Sequence, residues 1–219
     1  MALRTAIVAV AACWLVAASF MVVLSPQATR LMASATVAPG HVLYSREELI
    51  EAAEATRAFV TGDREVVLVA SADERAGFTA EAISHLLDVR KVFSGAVVFF
   101  GATGVLLLTL CVYGALLDRR KEIGGALVVG SLVPLALGGA VLVVGVLWFE
   151  QLFSALHGVF FAAGTWQFSY DSLLISALPQ GFWMGCGLLW AVSLALFCAA
   201  GVILGLIIRR PKWRDGQGA

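Results

Sequence analysis

Three histidines are the side chains in this sequence best suited to moving protons: His41, His85 and His157. An imidazole titrates near pH 6.5 and can act as acid or base close to neutrality. On a helix, His85 shares a face with Glu81, four residues before it, and Asp88, three after it. A carboxylate on one ring nitrogen fixes the tautomer and leaves the other nitrogen as a base. His157 is flanked at −4, +3 and +4 by Phe153, Phe160 and Phe161, which makes its surroundings dry. His41 follows Gly40 in a loop without such neighbours and reads as structural. The four cysteines, Cys13, Cys111, Cys186 and Cys198, contain no C-x-x-C pair, which removes the membrane thiol oxidoreductases. Two histidines without H-E-x-x-H spacing make a zinc hydrolase a weak reading, and no metal or other cofactor is expected.

The elements that carry these side chains belong to a membrane protein. Of 219 residues, 60% are hydrophobic and 14% charged, whereas a soluble domain is about half apolar and a quarter charged. The net charge of zero lacks the basic footprint of a nucleic-acid partner. Four windows, 5–24, 92–117, 123–149 and 182–208, are long and apolar enough to span a bilayer, and each must be helical because hydrocarbon offers no partner to a bare backbone. Eight of the 15 cations lie on Arg4, in the 118–122 loop and in the tail 209–219. That bias puts both termini and the loop in the cytoplasm, and segments 25–91 and 150–181 outside. Ala17-Ala18-Ser19 would suit signal-peptide cleavage, but the apolar run continues to Val23-Leu24, so an uncleaved anchor is expected.

The first exported segment reads as a small folded cap. Ser45 and Glu48 form a capping box that opens a helix, with Leu49, Ala52, Ala53, Phe59 and Val60 on its apolar face and Gly62 at its end. Residues 66–70 read as a strand and 71–77 as a polar turn. Thr79 then caps a helix that carries Glu81, His85 and Asp88 into the second span. The fold class is therefore all-α: four transmembrane helices under a small extracytoplasmic α/β cap. The second exported segment has no Lys or Arg, and eight aromatics lie between Phe153 and Trp183. It should lie at headgroup level, divided by Gly164 and Pro179, and this brings His157 to the same depth as His85.

At this point the residues carry a family likeness. Phe78-Thr79-Ala80-Glu81-Ala82-Ile83-Ser84-His85-Leu86-Leu87-Asp88-Val89-Arg90 resembles the E-x-x-S-H-x-x-D-V signature of the lipoprotein intramolecular transacylase family, Lit. His157-Gly158-Val159-Phe160-Phe161, then Thr165-Trp166 and Leu178-Pro179-Gln180-Gly181-Phe182-Trp183, resemble its second signature. The chain departs from the pattern at Ala162-Ala163 and at Gln180.

The resemblance implies a bacterial cell-membrane acyltransferase with a diacylglyceryl lipoprotein as substrate, membrane lipids as surroundings and no cofactor. The implied reaction moves the sn-2 acyl chain onto the α-amine of the lipoprotein's N-terminal cysteine, giving the lyso form. His157 would be the base. His85, oriented by Glu81 or Asp88, would stabilise the oxyanion or protonate the leaving oxygen; the reverse assignment stays open. Tyr44, Phe153, Phe160, Phe161, Trp166, Phe182 and Trp183 would line the substrate pocket. Two other readings are compatible with the residues: a redox protein with His85 and His157 as axial haem ligands, and a non-catalytic assembly or sensor protein.

Overall fold

The computed structural model describes residues 1–38, 43–66 and 71–210. Among them the chain forms eight helices: α1 (Ala2–Val23), α2 (Pro26–Thr36), α3 (Arg46–Thr61), α4 (Ala80–Leu116), α5 (Arg120–Leu147), α6 (Phe149–Phe160), α7 (Leu173–Ala177) and α8 (Gln180–Arg209). Four of these, α1, α4, α5 and α8, are long and apolar enough to cross a membrane. Helix α1 runs antiparallel to α4: Leu3 lies beside Gly114, Trp14 stacks on Phe100 at 5.8 Å, and Phe20 meets Phe93 edge-on at 5.6 Å. Helices α5 and α8 approach backbone to backbone, and a methyl group on Gly205 would come within 2.6 Å of the Gly124 carbonyl oxygen. Small residues permit this closeness, which is how helices gain packing energy in lipid. Outward side chains such as Val98, Leu108, Leu137 and Leu196 are exposed, as expected of a surface solvated by acyl chains.

One end of the bundle carries the cap, and local hydrogen bonds set its helix starts. Ser25 accepts from the Ala28 amide with Pro26 behind it, Ser45 and Glu48 form the reciprocal box, and Thr79 accepts from the Ala82 amide. Gly62 closes α3 at φ 87°, a left-handed conformation natural to glycine. Leu49, Ala53 and Phe59 of α3 then pack with Phe78, Leu86 of α4, Leu173 and Ala177 of α7, and Phe182 of α8 in one core. The Leu173 amide donates to the Glu74 carbonyl at 2.7 Å, and the Arg46 guanidinium donates to the Ser34 carbonyl. Arg90 lies 5.6 Å over the Phe59 ring and pairs with Glu65 at 3.4 Å, tying α4 to α3.

The α/β character expected of the cap is not supported. No strand occurs among the described residues; the single β-bridge residue is Phe78, whose carbonyl accepts from the Ser71 amide at 3.0 Å across the polar turn. Residues 67–70 of the expected strand lie outside the described residues, as do His41 and the tail beyond Arg210.

Two departures from a simple bundle place the site. Helix α4 is unbroken over 37 residues, about 55 Å at 1.5 Å per residue, against a hydrocarbon core of roughly 30 Å. Its first turns, which carry Glu81, Asp88, Arg90 and Lys91, pack into the cap core through Ala82 and Leu86. At Trp148, φ −140° and ψ 53° end α5, and the chain restarts as α6. On α6 and its cap, Phe153, His157 and Phe161 follow at intervals of four and share one face. Leu156, Val159 and Phe160 occupy the exposed face.

Candidate functional site

His85 sits in the second turn of α4, 8% exposed, on the stretch of helix that carries the cap-core residues Ala82 and Leu86. His157 lies in the last turn of α6. The two rings are brought together with centroids 6.1 Å apart and planes 25° from parallel. Phe161 wedges against both, edge-on to His85 at 4.8 Å and tilted to His157 at 5.5 Å. Phe153 lies 4.0 Å and Trp166 4.8 Å from the His157 ring, and Trp183 meets Phe153 edge-on at 6.0 Å.

Hydrogen bonding distinguishes the two imidazoles. Nδ1 of His157 is 2.9 Å from the Phe153 carbonyl oxygen. A carbonyl only accepts, so Nδ1 carries the hydrogen and Nε2 of the neutral ring keeps a lone pair. Nδ1 of His85 is buried without a hydrogen-bond partner among the described residues. Burial also disfavours the charged form of each ring. Desolvation, then the neighbouring His157, push His85 down to about 4 against a smaller opposing effect of Asp88. Desolvation lowers His157 as well, against the opposing effect of its bond to Phe153. Both rings are neutral at pH 7, which leaves one free to accept a proton while the other donates.

The carboxylates expected beside His85 are engaged elsewhere. Asp88 pairs with Lys91 at 2.8 Å, and its influence on His85 is through space. Glu81 is exposed and turned to its own amide and to Thr79, which lower its pKa. Tyr44 packs on the cap core and its hydroxyl donates to the Ala76 carbonyl. Phe182 is buried in that core, and Phe160 points outward, touching Phe161 at 6.3 Å. Phe153 and Trp166 lie against His157, Phe161 lies against both histidines, and Trp183 forms a second layer behind Phe153. One ring was missed by spacing arguments: Phe168, 5.8 Å from His85, in a loop whose only signal is its aromatic richness. Phe168 also borders a shallow, open recess lined by Glu74, Gly77, Thr79, Ala82, Ser172 and Leu174. No three His, Cys, Asp or Glu side chains converge as metal ligands among the described residues.

Comparison with known proteins gives consistent matches. The profile of the family described as lipoprotein intramolecular transacylase Lit matches residues 4–183. The membrane-integral lipoprotein intramolecular transacylase Lit from Bacillus cereus superposes with a TM-score of 0.71 at 17% identity, covering 94% of this chain and 92% of that one. A histidine-to-arginine variant of the same protein superposes with a TM-score of 0.69 at 14% identity, covering 94% and 90%. At these identities the likeness is one of fold. A protein of Aquifex aeolicus (strain VF5), described as uncharacterized, is 28% identical over 145 residues. That match takes in 65% of this chain and 62% of the relative, less than two thirds of its length.

Proposed function

Because the chain belongs to the lipoprotein intramolecular transacylase family, we propose that it moves the sn-2 acyl chain of a diacylglyceryl lipoprotein onto the α-amine of that lipoprotein's N-terminal cysteine. The observation that carries this reading is the pair of neutral imidazoles, 6.1 Å apart, inside one aromatic enclosure at the boundary between cap and spans. A substrate anchored by its own lipids presents ester and amine at that depth. Basic residues concentrated near the opposite end of the bundle support placing the cap, and hence the site, on the extracytoplasmic side, with both termini in the cytoplasm.

The free Nε2 of His157 suits the base. As the amine nitrogen bonds to the ester carbonyl carbon, its proton passes to Nε2 and the carbonyl oxygen takes on negative charge. The bond from that carbon to the glyceryl oxygen then breaks, and the glyceryl oxygen leaves with the proton that Nε2 of His157 took from the amine, which returns His157 to its neutral form. His85, neutral and facing His157, donates a hydrogen bond to the developing charge. Donor and acceptor belong to one molecule, so no side-chain nucleophile is needed, and holding them together can be worth about 7–11 kcal/mol of barrier. Phe153, Phe161, Trp166 and Phe168 exclude water that would otherwise hydrolyse the ester.

Expression in a host that lacks lipoprotein N-acylation tests the reading. Mass spectrometry of a lipoprotein's N-terminal peptide should show an N-acylated cysteine with one glyceryl chain. A peptide with a free amine and both chains, despite membrane-inserted protein, would refute it.

A further inference from the structure

Two tryptophans border the His157 enclosure, and the fold treats their indole N–H groups differently. Nε1 of Trp183 donates to the Leu178 carbonyl at 3.1 Å. Nε1 of Trp166 is shielded from solvent and has no partner among the described residues. Buried indole N–H groups normally find an acceptor, so this one is a donor held ready for an atom the protein does not supply. Its position is fixed rather than incidental. Gly164 at φ 84° turns the chain, and the Thr165 hydroxyl and amide both donate to the Ala162 carbonyl, at 2.9 and 3.3 Å. The indole is thereby set 4.8 Å from the His157 ring and 6.4 Å from Phe153.

We propose that the Trp166 indole N–H hydrogen-bonds the ester carbonyl oxygen of the acyl substrate and holds the negative charge that develops there. This inference rests on the transacylase reading and assigns one residue within it. The acceptor must arrive with the substrate and lie beside the base, and the carbonyl oxygen under attack meets both conditions. An indole N–H donates only and does not titrate in the working range, so it serves at every pH at which the amine can attack. Among aromatic walls its bond to an oxyanion is stronger than in water, and it needs no rearrangement as charge forms.

The test uses the full chain in lipid vesicles with a diacylglyceryl lipopeptide, the lyso product being followed by mass spectrometry. Trp166→Phe keeps an aromatic wall and removes the donor. Benzothienylalanine at position 166 replaces the N–H by sulfur at almost unchanged shape. Both should lower kcat by about 10²–10³-fold, the scale of a lost oxyanion donor, with KM within about threefold and the thermal midpoint retained. Should Trp166→Phe fold poorly, the isostere alone decides. Either protein working within threefold of wild type would overturn the assignment while leaving the transacylase reading intact. Wild-type protein that yields no lyso product would overturn both.

Discussion

The imidazole of His157, on the short helix that follows the break at Trp148, faces that of His85, on the helix descending from the cap, at 6.1 Å. One ring is keyed to a backbone carbonyl through Nδ1, whereas the other keeps a buried nitrogen without a partner among the described residues. In the proposed reaction this asymmetry would distinguish the proton acceptor, His157, from His85.

His157→Asn should lower the transacylation rate by about 10²–10⁴-fold, the usual contribution of a positioned acid or base. His85→Asn should fall in the same range. Because the two act in one step, the double variant should be about as slow as the poorer single one. Product counting in vesicles, with thermal midpoints as a folding control, checks all three.

The pH profile should report the substrate before it reports the protein. Attack needs a neutral α-amine, with a pKa of about 7.7–8.0, and a neutral His157, whose pKa burial lowers. Acidification protonates the amine first, so log rate should fall with unit slope below about pH 7.5. It should steepen toward a slope of two only below the ordinary histidine value of about 6.5. A slope of two already at pH 7 would contradict the neutral pair.

Glu81→Gln and Asp88→Asn should leave the rate within about threefold, since a salt bridge to exposed Lys91 and hydrogen bonds at the helix start account for these carboxylates. A hundredfold loss in either would mean that a carboxylate orients His85 during turnover.

Phe161→Ala removes the ring wedged against both histidines. Water would then compete with the amine, so free fatty acid should rise relative to lyso product. Gas chromatography of the released acids measures the ratio.

Gly205→Leu should destabilise the α5–α8 pair by about 1–3 kcal/mol or more, because its side chain would meet the Gly124 backbone. A lowered thermal midpoint in detergent checks it.

What the sequence reveals here divides by range of interaction. Four charge-free windows can only be helices in hydrocarbon, and the Ser45, Thr79 and Gly62 signals act over three or four residues, so both are legible. The depth of the two histidines follows from the same arithmetic. Their contact does not, because it depends on how α6 leaves α5 at Trp148, a backbone bend that no residue pattern marks. Phe160, three residues from His157, looked equivalent to Phe161, yet the first faces outward and the second inward. Asp88 is on the correct side of α4, but Lys91 on the same helix claims it. Phe168 sits in a loop, where periodicity has nothing to say.

The continuity of α4 makes bilayer thickness a variable of the chemistry. A rod of 37 residues has lipid-facing Val and Leu along its lower part and His85 near its upper end. A membrane thinner or thicker than its apolar stretch must be met by tilt or by local lipid deformation, and either one shifts the imidazole vertically against esters whose height the lipids themselves fix. Turnover should therefore peak at one acyl-chain length of the host lipid and decline on both sides of it.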